Sequence, residues 1–117
     1  MAEHPVQIDK YAGTKLLEQA SYFKGRRHGT TVYYRSDGRI ERIATFWYDQ
    51  LNGPYYEFWP SGRLALEATY VYGALDTQVE YSETGQRIGP VIHSTLHARP
   101  GNKIEPSILR VTQYRPQ

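Results

Sequence analysis

The sequence contains no cysteine, only one methionine and no long apolar run. Without cysteine the chain can form neither a disulfide framework nor a thiolate metal site, and nothing in the composition points to an oxidising compartment. A membrane-spanning helix needs about 20 consecutive apolar residues, and no stretch approaches that length. The first residues, MAEHPVQIDKYAG, also lack the apolar run of a signal peptide. We therefore expect a soluble, cytoplasmic protein.

Aromatic residues are abundant, and most of them are tyrosine. The 117 residues include 11 Tyr, 3 Phe and 2 Trp, together with 10 Gly and 7 Pro. Aromatic and β-branched side chains favour strands, whereas glycine and proline supply turns and penalise long helices. With 39% hydrophobic and 22% charged residues the composition is that of an ordinary globular protein, so we expect a single domain over residues 1–117.

Charge and motifs exclude several classes of function. The formal net charge is only +2, and the basic groups concentrate in residues 1–28 and 90–117, so no continuous basic face for nucleic acid is expected. The sequence has no glycine-rich phosphate loop, no G-x-S-x-G context and no pair of carboxylates in an apolar setting. We therefore expect no nucleic-acid partner, no cofactor and no catalytic residues, and the protein is not predicted to be an enzyme.

An internal repeat with a period of 24 residues organises the middle of the chain. Residues 29–52 read GTTVYYRSDGRIERIATFWYDQLN, and residues 53–76 read GPYYEFWPSGRLALEATYVYGALD. Partial copies precede them at residues 14–29 and follow them at residues 77–89. The array therefore reads half, whole, whole, half, and degenerate end units are typical of repeat proteins because terminal repeats must cap an unpaired surface.

Each unit predicts a hairpin. A short aromatic strand runs into a turn that ends in Gly38, Gly62 or Gly85, and a second, alternating strand follows. In the non-repeat tail, residues 90–117, we predict two further strands at residues 91–97 and 108–114. Residues 1–12 are too irregular to assign. The predicted fold is an all-β antiparallel meander of hairpin repeats, capped or extended by a C-terminal hairpin.

The recurring G-[RK]-[LI], followed by Ala-[ST]-[YF] and a glycine one turn later, resembles the variant MORN repeat family of small bacterial proteins. The resemblance covers about residues 14–89. It implies hairpins stacked into one elongated, twisted antiparallel sheet, and it implies binding without catalysis, since members are often described as antitoxins of toxin–antitoxin pairs. MORN-like arrays also serve as scaffolds and membrane-associated modules, and the tail after Val91 is a second place where a partner could be recognised.

Two sets of aromatic residues are predicted to differ in role. Those that recur at fixed phases of the repeat should form the core ladder between hairpins. This first set is Tyr22, Phe46 and Tyr70 together with Tyr34, Phe58 and Tyr81. Four other large aromatics fall opposite these columns, on a face that a single-layer sheet leaves uncovered, so we expect them to be exposed and to bind a partner protein. The predicted partner-binding residues are Tyr33, Trp47, Tyr55 and Trp59.

No metal site is predicted. His93 and His97 have a spacing that binds zinc on a helix, but on a strand they would lie more than about 12 Å apart at a rise of roughly 3.3 Å per residue.

The predicted function is a non-catalytic protein-binding module: an antitoxin, an immunity protein or another inhibitor that occludes a partner. The alternative is a structural or membrane-peripheral scaffold whose basic ends contact anionic lipid. Those basic residues are Arg26, Arg27, Arg99, Arg110 and Arg115. The oligomeric state stays open, because unpaired sheet edges invite pairing.

Overall fold

Residues 4–93, which the computed structural model describes, form one sheet of eight antiparallel strands in sequence order. The strands are β1 (Val6–Ala12), β2 (Lys15–Phe23), β3 (Arg26–Tyr34), β4 (Ile40–Trp47), β5 (Gln50–Phe58), β6 (Leu64–Val71), β7 (Ala74–Tyr81) and β8 (Arg87–His93). Each strand pairs with the next along the chain, so every connection is a hairpin. The predicted all-β antiparallel meander is therefore confirmed.

The two ends of the sheet differ from the prediction. β1 lies in a segment that the sequence left unassigned, where Asp9 and Lys10 interrupt the apolar alternation, and it pairs with β2 over its whole length. β8 begins at Arg87 rather than at Val91. The rest of the tail, with the predicted strand at 108–114, lies outside the described residues.

Two kinds of turn alternate between the ends of the strands. At one end, two-residue turns such as Tyr48-Asp49 have positive φ at both positions, +43° and +71°, which is the geometry of a type I′ hairpin. At the other end, the turns after β3, β5 and β7 are longer and end in Gly38, Gly62 and Gly85, whose φ values are +93°, +97° and +96°, whereas the turn after β1 has only two residues. These glycines adopt the left-handed conformation that the sequence predicted for them. We call the two sides the two-residue-turn end and the glycine-turn end.

The core is a row of mostly small side chains that crosses one face of the sheet. Successive cross-strand partners Ala20, Thr31, Ala44, Tyr55 and Ala68 are all buried. No second layer of the described chain covers them, since the structure measures 43 × 41 × 16 Å. Larger neighbours on the same face pack against the row and shield it. These neighbours are Tyr33, Phe46, Leu51, Leu66, Tyr70 and Leu75. We call this side the core face and the opposite side the outer face.

Only one of the two predicted aromatic columns belongs to this core. Phe46 and Tyr70 pack against the buried row, as expected. Tyr34 instead donates a hydrogen bond to Gln19 Oε1 at 2.6 Å, and Gln19 alternates with buried Ala20, so it lies on the outer face. Tyr81 likewise donates to Glu67 Oε1 at 2.8 Å. The prediction that the second column is core was wrong, because a β-bulge in each hairpin shifts the pairing and reverses the face.

Candidate interaction surface

Trp47 is the most exposed of the predicted binding residues. It ends β4 on the outer face with 48% of its surface exposed. Its ring centroid lies 4.4 Å from that of His28 and 5.4 Å from that of Tyr48, the latter edge-on at 90°. Phe23 extends the group, 5.6 Å from His28. We call Phe23, His28, Trp47 and Tyr48 the aromatic corner.

Backbone and side-chain bonds hold the aromatic corner in place. The Tyr48 amide donates to His28 Nδ1 at 3.2 Å, so the imidazole acts as an acceptor there. Asp49 and Arg27 exchange two bonds: the Asp49 amide donates to the Arg27 carbonyl at 2.7 Å, and the Arg27 amide donates to Asp49 Oδ1 at 2.8 Å. The turn is thereby tied to β3. An exposed tryptophan with such fixed neighbours loses little freedom on binding, which is typical of interface anchors.

The aromatic corner is not a requirement of the repeat. In the following unit the positions of His28 and Trp47 are taken by Asn52 and Val71. The equivalent hydrogen bond at the turn is nevertheless present, because Asn52 Oδ1 accepts a bond from the Tyr72 amide at 2.8 Å. His28 and Trp47 are therefore not required to hold the turn.

Trp59 has a structural contact. It is half-buried at the glycine-turn end, where its indole Nε1 donates to the Tyr81 carbonyl at 3.2 Å. Arg35 stands at the equivalent position of the preceding unit, and its Nη2 donates to the Phe58 carbonyl at 2.6 Å. Both side chains thus join one unit to the next. Whether Trp59 also binds a partner stays a prediction.

A groove of about 790 Å³ runs beside Trp59. Its apolar wall includes Phe58, Leu66 and Ile88. The charged lining residues are Arg35, Glu57, Glu80 and Arg87. The two signs are balanced, so the groove shows no preference for an anionic or a cationic ligand.

Tyr33 and Tyr55 lie on the core face, and the expectation that they lie opposite the core was wrong. Tyr55 is only 7% exposed and donates a hydrogen bond to Glu57 Oε2 at 2.5 Å. Tyr33 is half-buried beneath the Arg42 guanidinium, which lies 4.1 Å from its ring centroid. The four predicted residues therefore form no single patch. Trp47 occupies the outer face, Tyr33 and Tyr55 the core face, and Trp59 the glycine-turn end.

Sequence reasoning missed His28 and Tyr48. Their signal was the hairpin register: once Gly29 is paired with Phe46, His28 falls next to Trp47. Equivalent positions of different repeat units do not reveal which residues lie across the strands from one another.

Arg27 and Glu18 form an ion pair on the core face. The Arg27 guanidinium lies 2.7 Å from Glu18 Oε2 and within 5.8 Å of the ring centroids of both Tyr22 and Phe46. Burial disfavours the charged form of Arg27, but the hydrogen bond that it donates to Glu18 and the attraction of that carboxylate outweigh burial. The pKa of Arg27 is therefore raised. Arg27 is therefore largely engaged within the sheet.

Two tyrosines of the core face hold their protons tightly. Burial raises the pKa of Tyr55, the hydrogen bond to Glu57 raises it further, and Arg42 opposes both. Burial also raises the pKa of Tyr70, with the Glu57 charge adding to it. Both phenols are neutral at physiological pH, and that of Tyr55 donates its proton in the hydrogen bond to Glu57.

Residues 4–93 contain no group of three or more His, Cys, Asp or Glu side chains that could hold a metal ion. The same part of the chain includes no helix long and apolar enough to cross a membrane. His93 is exposed at the end of β8, and His97 lies outside the described residues.

The chain matches no protein-family model, no curated protein and no solved structure at a significant level. The resemblance to variant MORN repeats stays a prediction from the sequence.

Proposed function

We propose that the protein is a non-catalytic binding module of the antitoxin, immunity-protein or inhibitor type, and that it occludes a partner protein with the outer face of its sheet. The observation that carries the proposal is the aromatic corner, where Trp47 is 48% exposed yet fixed by its neighbours. Tryptophan is among the residues most enriched at the centres of protein interfaces. In keeping with the lack of cysteine, we place the partner in the cytoplasm.

The shape of the sheet fits a large partner better than a small ligand. Small molecules are bound in concave sites that cover most of their surface, whereas proteins bind broad, flat ones. A sheet 43 × 41 Å across is wide enough for the roughly 800 Å² per partner of a standard interface. The outer face around Trp47 also carries β-branched and hydroxyl side chains, such as Thr30 and Thr45, that can surround an aromatic anchor.

The alternative of a membrane-peripheral scaffold receives little support from the basic residues that the structure describes. Arg27 is paired with Glu18 and covered by two rings, so lipid headgroups would have to compete for it. Arg26 is exposed. The other basic residues of that hypothesis, Arg99, Arg110 and Arg115, lie outside the described residues.

The proposal is tested by recovering the partner from the protein's own cells and measuring its binding to purified variants by calorimetry. Trp47→Ala should weaken binding about 30-fold or more, which corresponds to ~2 kcal/mol. Its melting temperature should stay close to that of the wild type.

Ile40→Ala is the matched control, because Ile40 lies at the opposite end of β4 and is also an exposed large hydrophobic residue, at 37%. Its binding should stay near that of the wild type. Equal affinities for the wild type and Trp47→Ala would contradict the assignment of the outer face. Binding to anionic vesicles that disappears as salt is raised, without any protein partner, would favour the scaffold.

A further inference from the structure

β1 is an edge strand with an unusually open surface. Among residues 4–93 it pairs only with β2, and all seven of its residues are exposed. Three of its side chains are large and apolar, and they are 58%, 42% and 58% exposed: Val6, Ile8 and Tyr11. Natural sheets protect such edges with proline, bulges or charges, because an unpaired strand is a template for another. Here the bulge of the β1–β2 pair has its extra residue, Leu17, on β2, no proline falls inside β1, and the charges of β1 are limited to Asp9 and Lys10.

The buried row of the core stops at this edge. Ile8 is the cross-strand partner of Ala20, so it continues the row that contains Thr31 and Ala44. Ala20, Thr31 and Ala44 are at most 2% exposed, whereas Ile8 is 42% exposed. Within the part of the chain that the structure describes, the row thus ends in a large apolar side chain with a neighbouring strand on one side only.

We propose that β1 pairs antiparallel with β1 of a second copy of the chain, so that one sheet continues through a two-fold axis. In such a pair one residue must lie opposite itself, because neighbouring residues point to opposite faces. A centre at Asp9 or Lys10 would place like charges directly opposite each other, which is unfavourable. A centre at Ile8 avoids this.

The Ile8-centred register is also self-complementary. It places Ile8 against Ile8 of the second copy, which continues the buried row across the axis. Gln7 then faces Asp9 of the second copy, and these groups suit each other, since Gln7 Nε2 already donates to Asp9 Oδ1 at 3.0 Å within one chain. Val6 faces the aliphatic stem of the second copy's Lys10. Hydrophobic continuity and charge therefore select the same register.

Cysteine cross-linking of the full chain tests the register, because the natural sequence has no cysteine to interfere. Directly opposite residues have Cβ atoms about 4.5–5.5 Å apart, close to what a disulfide needs. Under mild oxidation Ile8→Cys should form a covalent dimer about tenfold or more faster than Leu17→Cys, because pairing raises the effective thiol concentration. Leu17 is a matched control, since it is 41% exposed but lies on β2, which has a strand on each side. Gln7→Cys should be slower than Ile8→Cys, because Gln7 does not face itself.

Sedimentation gives a second measurement that needs no oxidation. The wild type and Leu17→Lys should sediment as dimers, whereas Ile8→Lys should sediment as a monomer with an unchanged circular dichroism spectrum. A monomeric wild-type chain would overturn the proposal. A monomer is the result expected if residues 94–117 or another protein cover the edge instead. Equal cross-linking of Ile8→Cys and Leu17→Cys would also overturn it, and faster cross-linking of Gln7→Cys would overturn the register.

Discussion

A methyl group added at Gly29 should destabilise the fold more than the same group added at Gly38. Both glycines have positive φ, +103° and +93°, so alanine is strained at either position. Their surroundings differ. A Cβ at Gly29 would lie 3.1 Å from Ser21 Oγ and 3.2 Å from Ser21 Cβ, whereas a Cβ at Gly38 would meet nothing within 4 Å. Gly38→Ala therefore isolates the strain, and Gly29→Ala adds a close contact to it.

The two contributions can be compared in size. A left-handed conformation costs a residue with a Cβ roughly 1–2 kcal/mol. Forcing an extra carbon into a packed position typically costs a further ~1–3 kcal/mol. We expect Gly38→Ala to lower the free energy of unfolding by about 1–2 kcal/mol and Gly29→Ala by about 2–4 kcal/mol. Both should be measurable by urea denaturation, since small domains are stable by only about 5–15 kcal/mol.

A double-mutant cycle identifies the contact. Ser21→Gly removes both atoms that the new methyl group would meet, so Gly29→Ala in that background should cost no more than Gly38→Ala does. The coupling between positions 21 and 29 should then be about 1 kcal/mol or more. Equal costs for the two single alanine variants, or a cycle without coupling, would show that the close approach of β2 and β3 at this point does not constrain the fold.

Three further predictions concern other contacts. Trp59→Phe should lower the free energy of unfolding by about 1 kcal/mol, because it removes the indole donor to a β7 carbonyl and keeps most of the ring. An unchanged urea midpoint would mean that this link carries no stability. Tyr55 has a pKa raised by burial and by Glu57, so the native state holds its proton more tightly and stability should fall as pH rises above the ordinary tyrosine pKa of about 10. Tyr55→Phe should flatten that fall in urea midpoints taken from pH 8 upward, and an equally steep fall would assign it to another group. Arg63→Met removes the bond from Nη1 to the Thr84 carbonyl at 2.9 Å and should speed amide exchange in that turn, with a stability loss of only about 0.5–1.5 kcal/mol. Unchanged exchange there would show that the arginine does not order the turn.

The strands and glycine turns could be predicted because their requirements are local. Alternating side chains define a strand, and a positive φ at a turn selects glycine without reference to the rest of the fold. The Ala-[ST]-[YF] motif was also visible, and the structure supplies its reason. Its first residue, such as Ala44, belongs to the buried row, and its second, such as Thr45, lies close to a glycine on the next strand.

That motif also shows where the repeat tolerates change. A Cβ at Gly53 would lie 3.3 Å from Thr45 Cγ2, so glycine is favoured in that unit. In the next unit Thr77 stands at the position of Gly53, and its hydroxyl lies 2.7 Å from that of Thr69 in a hydrogen bond. The close approach of Thr45 to Gly53 is thus replaced, one unit later, by a hydrogen bond between two threonine hydroxyls. Such an exchange cannot be recognised from one sequence, because it depends on the distance between two strands.

The assignment of faces failed for the same kind of reason. Tyr34 pairs with Ile40, but Tyr33 pairs with Arg42, so Glu41 has no residue opposite it and the alternation is reversed beyond that point. The following hairpin has the same bulge between Glu57 and Phe58. Strict alternation through the turn puts Tyr34 on the side of Phe46, whereas the bulge puts Tyr33 there. No glycine or proline marks either bulge, since the unpaired residues are Glu41 in the first hairpin and Ala65 in the second. One unmarked residue per hairpin thus decides which tyrosines pack on the core face and which, like Trp47, lie on the outer face.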